Sequence, residues 1–276
     1  PGLVGSLLVG LSLGRAFAWA RKLPFHGVHH LEGHVFSPFL ATDGGAAAPI
    51  PGRFVALVVS GGHTSLYEVD GARIATLAET RDDAFGEAFD KVGKRLGLVY
   101  PQGPKLDLLA EQGVAARCPL PRLAGTPPNT ELFFSYSGLK TQAMVALEKL
   151  EAAGVATAAG EPAGDDGAEP RFAQPVLDLV AGFRDSAVRQ VLDRLTRLHR
   201  RAPFGLLAVS GGAAANRELR RRLPGWAEER GVDLRLVPLV YSGDNAAMIA
   251  FAALRRALAG TSDDPLAVEA ASRVPL

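Results

Sequence analysis

F-V-A-L-V-V-S-G-G-H-T, residues 54–64, is the stretch that decides the fold. Its first six residues are all apolar and rich in valine, which predicts a short strand with no solvent-facing side. Ser60, Gly61 and Gly62 end the run at once. The same device returns at 205–212, where G-L-L-A-V is followed by S-G-G. Glycine after a buried strand lets the backbone come close to a phosphate or sugar with its N–H groups free to donate. One such loop fits any tight turn. Two in one chain point to a nucleotide cleft, with a pair of ordinary turns as the alternative.

Working outward, S-L-Y-E-V at 65–69 alternates and reads as the hairpin partner of the first strand. A helix is expected from Asp83, with Ala84, Phe85, Ala88, Phe89, Val92 and Leu96 at helical spacing. Y-P-Q-G at 100–103 is a turn, and a further helix is expected from about Pro104. A Leu- and Arg-rich helix runs from about Pro175 to His199. L-R-L-V-P-L at 234–239 is a third buried strand, and a last helix runs from Asn245 to Leu258, stopping at Gly260. Strands alternating with helices place the chain in the α/β class. Residues 152–170, rich in Ala, Gly, Glu and Pro without an apolar period, predict an exposed, mobile insertion.

The opening, P-G-L-V-G-S-L-L-V-G-L-S-L-G-R-A-F-A-W-A, has no basic residues before its apolar run, unlike a signal peptide. Arg15 and the scattered glycines argue against a membrane span. The expectation is a buried helix packed closely on a neighbour through its glycines, in a chain that starts inside a core element and lacks sequence upstream.

The 276 residues are 47% hydrophobic and 21% charged, with a net charge of +1. That suits one large domain or two ordinary ones. It gives no general attraction to nucleic acid, so any RNA contact needs a local patch. A single cysteine, Cys118, excludes an internal disulfide and fits a reducing compartment; a buried, inert thiol is the usual case.

The chemistry is concentrated in H-H-L-E-G-H, residues 29–34. His30 and His34 stand at i and i+4, which on a helix puts both imidazoles on one face, as a shared metal needs. Two surface histidines would have the same spacing. A zinc protease needs glutamate directly after the first histidine; here Glu32 comes two residues later. Asp244, in Y-S-G-D-N before the last helix, is the best third ligand. It also suits an N-cap, and the two roles are compatible. Two histidines and a carboxylate form a facial set for iron or zinc with open positions.

Asp90 shares a polar helix face with Glu87, Lys91 and Lys94, so ordinary surface ion pairs compete there with a grip on ribose hydroxyls. Asn216 suits a base or ribose contact, or a helix cap. The basic runs Arg194–Arg201 and Arg217–Arg222 read first as solvated helix faces and second as a tRNA surface.

Taken in order, P-G-L-V-G-S-L-L-V-G, V-H-H-L-E-G-H, V-V-S-G-G-H-T, D-D-A-F-G-E-A-F-D-K, Y-P-Q-G-P, F-S-Y-S-G-L-K-T, S-G-G-A-A-A-N-R-E-L and D-N-A-A-M-I-A resemble the TsaD family, which makes N6-threonylcarbamoyladenosine in tRNA. The H-H-L-E-G-H form resembles its bacterial and organellar branch. The resemblance implies an actin-like, sugar-kinase-like two-domain α/β fold with the first domain incomplete. Residues 1–50 would be its remnant, with the 245–276 segment packing back on it, and residues 51–244 the second domain. It implies one divalent metal on His30, His34 and Asp244, iron first and zinc second. Val58, Val59, Ser60, Gly61 and Gly62 match the first substrate loop. Asp90, Gly103 and Asp107 match residues that hold a nucleotide-like substrate, and Asn216 a further contact. No residue is assigned as a covalent nucleophile.

The implied reaction moves a threonylcarbamoyl group from threonylcarbamoyl-AMP to N6 of the adenosine beside the anticodon. The implied partners are tRNA, a metal-less TsaB-like paralogue as dimer partner and a TsaE-like P-loop ATPase, in the cytoplasm with no membrane. Three departures stand out. The family's upstream strand set with its Glu-Thr-Ser-Cys loop is not in the chain, Gln102 stands where a second glycine is usual, and Ala246 replaces a glycine. The rivals are a truncated or non-catalytic scaffold paralogue, a kinase of the same fold and a metalloprotease. His30, His34 and Asp244 argue against the first two, and the position of Glu32 against the third.

Overall fold

The structure is a computed structural model and describes residues 4–42, 45, 48–120, 132–157 and 171–271. The chain forms strands β1 (Arg53–Val59), β2 (Thr64–Asp70), β3 (Arg73–Glu79), β4 (Leu206–Ser210) and β5 (Asp233–Leu236). The helices are α1 (Val4–Arg21), α2 (His30–Phe36), α3 (Phe85–Arg95), α4 (Gln102–Ala110), α5 (Ser137–Ala152), α6 (Gln174–Arg201), α7 (Arg217–Glu228) and α8 (Ala246–Leu258). They build one sheet in the order β3-β2-β1-β4-β5. The first three strands form an antiparallel meander, and β4 and β5 join parallel to β1. This is the mixed α/β sheet of the actin-like class, as expected. Most of the insertion expected over 152–170 lies outside the described residues.

β1 sits at the centre of the sheet, which explains its unbroken apolar run. Val55, Leu57 and Val59 enter the larger core with Leu207, Val209 and the buried faces of α3 to α7. Phe54, Ala56 and Val58 face the other way, against Leu31, Val35 and Phe36 of α2 and Ala252 of α8. A strand covered on both sides has no place for polar alternation. Each fully buried Phe, Leu or Val contributes roughly 1.5–3 kcal/mol.

Several boundaries differ from expectation. α3 begins at Phe85, and Asp83 instead pairs with Lys91 and Lys140, each at 2.5 Å. α4 begins at Gln102, so Pro104 lies in its first turn, where its missing N–H costs nothing. β5 ends at Leu236, two residues before Pro238, which cannot donate to a ladder.

The expectation for the opening segment is overturned. α1 is a helix, but Ala18 is its only buried residue, while Val9, Leu13 and Trp19 are exposed. A side chain added at Gly5 or Gly10 would meet nothing within 4 Å, so these glycines are not packing notches. No described element lies along most of its length, so its apolar side chains are left uncovered.

Asp82 anchors the start of α5. Its carboxylate accepts from Tyr136 N at 2.8 Å, Ser137 N at 3.2 Å, Ser137 Oγ at 2.7 Å and Ser135 Oγ. Burial alone would raise its pKa, but these bonds outweigh burial and hold the carboxyl below its ordinary range. A depressed folded pKa means stability that is present above the unfolded value of about 4 and is lost as pH falls through the folded value. Asp82→Asn should therefore cost about 1–2 kcal/mol at pH 7 and show a shallower acid loss than the parent chain. Denaturant titrations from neutral pH down to about pH 2.5 measure both slopes, and identical slopes would refute the assignment.

Candidate metal centre

α2 has only seven residues, and its cap decides which histidine is left over. His29 is the N-cap, its Nδ1 accepting from Leu31 N at 3.2 Å, so it is turned away from the other two. One helical turn apart, the rings of His30 and His34 pack edge to face with centroids 4.7 Å apart. His34 is fully buried and His30 partly so.

Asp244 arrives from the far end of the sequence. Its Oδ1 lies 3.1 Å from His34 Nε2 and 3.4 Å from His30 Nε2. The N-cap expected of Asp244 belongs instead to its neighbour. Asn245 caps α8, its side-chain oxygen accepting from Met248 N at 2.9 Å. The amide of Asn245 also donates to Gly243 O at 2.9 Å and Tyr241 O at 3.3 Å, which fixes the turn that presents Asp244. The residue next door satisfies the helix end, so the carboxylate is left to the histidines.

The donor set fits a divalent ion. One ligand atom from each of the three residues falls within 4.8 Å of the others, the only such group among the described residues. Ligands about 2.1 Å from a common ion lie about 3.0–3.4 Å apart, close to the two contacts of Asp244. Hydrogen bonds from His30 and His34 hold the Asp244 carboxyl far below the ordinary carboxylate range, so it is ionised, as a ligand must be. His34 Nδ1 is buried with no hydrogen-bond partner among the described residues, so without an ion its ring is fixed only by the contact of Nε2 with Asp244.

The two glycine loops end adjacent parallel strands, and Val58 is paired with Ser210. Val58 and Val59 are wholly buried, so only their backbone can serve a ligand. Ser60 N donates to His63 O at 2.8 Å and His63 N to Ser60 Oγ at 3.1 Å, closing a tight turn that leaves Gly61 and Gly62 exposed. Gly211 has φ +96°, and a Cβ there would stand 2.3 Å from Val59 O. A Cβ on Gly212 would sit 3.9 Å from Gly243 Cα, so the second loop abuts the turn carrying Asp244. The glycine loops and the candidate metal ligands are therefore one contiguous region at the carboxyl ends of β1 and β4.

The remaining expected residues come together in two pairs. Asp90 Oδ1 accepts from Gly103 N at 2.8 Å, which ties α3 to the first turn of α4. Lys91 is engaged with Asp83 and Glu87, not Asp90. Asp107 Oδ1 accepts from Asn216 Nδ2 at 2.7 Å, its Oδ2 accepts from Arg217 N at 2.9 Å, and Arg184 lies 3.2 Å away. Asn216 also caps α7, accepting from Leu219 N at 3.0 Å.

Much of the basic runs is engaged by the protein's own acidic and carbonyl groups. Arg221 pairs with Glu111 and Glu218, Arg222 with Asp185, and Arg194 donates to Phe133 O. Burial pushes the Cys118 thiol up, in keeping with an inert thiol. Glu32 is bound at both oxygens by Arg256, so it is no free general base for a protease.

His63 is a residue whose placement the spacing of motifs did not single out. Burial first, then the electrostatic influence of neighbours including His30 and His34, lowers its pKa. Its one sequence signal is its place directly after Gly62.

The family model described as tRNA N6-adenosine threonylcarbamoyltransferase matches residues 1–251. A protein of that name from Burkholderia pseudomallei is 44% identical over 257 residues, covering 93% of this chain and 69% of the relative. Another of that name from Bordetella bronchiseptica is 43% identical over 265 residues, covering 95% and 70%. Among solved structures, HypF of T. kodakarensis superposes with a TM-score of 0.62 at 14% identity, over 92% of this chain and 40% of HypF. That likeness concerns the fold alone.

Proposed function

Because the chain belongs to the tRNA N6-adenosine threonylcarbamoyltransferase family, we propose that it transfers the threonylcarbamoyl group of threonylcarbamoyl-AMP to N6 of the adenosine beside the anticodon. The observation that carries this reading is the convergence of His30, His34 and Asp244 beside paired glycine loops.

In this reaction the N6 amine attacks the activated carbonyl carbon. The bond from that carbon to the phosphate oxygen breaks, AMP leaves and N6 loses a proton. Adenine's amine is a weak nucleophile, so positioning and polarisation must supply most of the rate. Gly61 and Gly62 offer backbone N–H groups to the phosphate. Among the described residues Asp90 accepts from Gly103 N through Oδ1, which leaves Oδ2 for a ribose hydroxyl. Asp107 is held rigid by Asn216 and the α7 amino end, and would contribute to the sugar site through the Asn216 it fixes. A divalent cation held by His30, His34 and Asp244 would supply Lewis-acid polarisation of the carbonyl. The two-histidine, one-carboxylate set favours iron(II), with zinc as the alternative.

The same proposal includes tRNA as substrate, a TsaB-like metal-less paralogue and a TsaE-like ATPase as partners, and the cytoplasm as location. It also divides the chain near residue 50, with residues after 244 returning to the first part. α8 packing on α2 and Arg15 donating to Leu266 O at 2.9 Å support that return. No described helix is long and apolar enough to cross a membrane.

Chelation tests the reading directly. Removing metal from the purified chain, with its partners supplied, should lower single-turnover transfer at least about 100-fold, and iron(II) or zinc should restore it. Undiminished transfer by a chain shown to be metal-free would end the proposal.

A further inference from the structure

Glu32 lies between the two histidines in sequence but on the opposite side of α2, since two helical residues turn through about 200°. Its side chain is 8% exposed, and a carboxylate so buried must be paired. Arg256, in the last turn of α8, meets it with both nitrogens of a fork, Nη2 to Oε2 at 2.6 Å and Nε to Oε1 at 3.1 Å. Arg256 Nη1 also donates to Gly27 O at 3.1 Å, and Gly27 N donates to Asp263 at 2.8 Å. The arginine therefore joins α8 both to α2 and to the segment leading into it.

α8 meets α2 at three points. At its start Asp244 meets the histidines. One turn on, Met248 and Ile249 lie so close to Gly33 that a Cβ there would be 2.9 Å from Ile249 Cδ1. At its end Arg256 holds Glu32. At about 1.5 Å per residue, Arg256 is about 15 Å from the first turn of α8. A tilt of about 8° about the Gly33 contact, about 7 Å along the helix from Asp244, moves Asp244 by about 1 Å, more than the roughly 0.5 Å tolerance of a preorganised site.

We propose that the Glu32–Arg256 pair is a positioning device for the metal centre, fixing the tilt of α8 and hence the distance from Asp244 to the histidine pair. This rests on the metal reading above. Neither residue touches the ligand atoms.

The probe is cobalt(II) alone, with its dissociation constant measured by chelator competition and its coordination by visible absorption, at a temperature where circular dichroism shows every variant folded. Arg256→Met should weaken cobalt about 10–100-fold and alter the spectrum, and Arg256→Lys should recover part of the loss. Arg256→Met leaves a buried unpaired carboxylate and is at risk of unfolding. The double variant Glu32→Met/Arg256→Met avoids that orphan and should fold, yet still bind cobalt at least about 10-fold more weakly. A folded double variant with parental affinity and spectrum would overturn the positioning role and leave the metal site standing. A parent chain that binds no cobalt would overturn the metal reading and this proposal together.

Discussion

The chain carrying His34→Ala should purify without stoichiometric metal and without transfer activity. In the proposed site His34 is one of three ligands, and losing a ligand should exceed the 10–100-fold loss of affinity typical of outer partners. A drop of about 1000-fold or more is expected in both metal affinity and transfer rate. The imidazole is also fully buried, so its removal leaves a void and costs stability in its own right. Asp244→Ala separates the two effects. Its side chain is 75% exposed and Asn245 does the capping, so the fold should be nearly unaffected. Metal content by mass spectrometry, thermal unfolding and a threonylcarbamoyl-AMP assay on both variants decide the matter. A folded Asp244→Ala chain with one tightly held ion would remove Asp244 from the ligand set.

A large loss of stability is expected at a glycine far from that site. Gly182 lies mid-helix in α6, where alanine normally gains about 0.5–1 kcal/mol. Here the sign reverses. A Cβ at 182 would stand 1.9 Å from the carbonyl oxygen of Cys118, and one at Gly113 would stand 2.0 Å from that of Leu177. These two glycines let the segment after α4 lie directly on the α6 backbone. The obstacle is main chain, which cannot rotate away. Gly182→Ala should cost about 3 kcal/mol and lower Tm by about 6 °C or more. Differential scanning calorimetry measures it, and an unchanged or higher Tm would refute the contact.

What could be read from sequence was what local spacing dictates. The fourfold spacing of His30 and His34 needs only a helix to bring the two imidazoles together, and α2 is one. The central strand announced itself because burial on both faces strips out polar residues. What escaped depends on contacts remote in the chain. Asp244 next to Asn245 offers two equally good caps on paper, and only the path of the preceding turn awards the cap to Asn245. Half-covered β3 has weak alternation over R-I-A-T-L-A-E, so its pattern is diluted. Composition made α1 look buried, because an apolar helix carries no mark of whether a neighbour is present. Glu32 read only as a glutamate misplaced for a protease. Its partner Arg256 is 224 residues away, beyond any spacing rule.

His34 and Asp244 are separated by 210 positions along the chain. An ion shared between them would tie most of the molecule into a single ring, a noncovalent counterpart of a disulfide. Closing a 100-residue loop with a crosslink is worth roughly 4.7 kcal/mol in the chain-entropy model, and the gain grows only slowly for longer rings. Unlike a disulfide, this clasp has a strength set by supply. A hundredfold excess of free ion over its dissociation constant adds about 2.7 kcal/mol to folding, and starvation takes it away. Helix α8, held at its head by the clasp and at its tail by Arg256, is then the part of the protein whose anchorage follows the metal content of its surroundings.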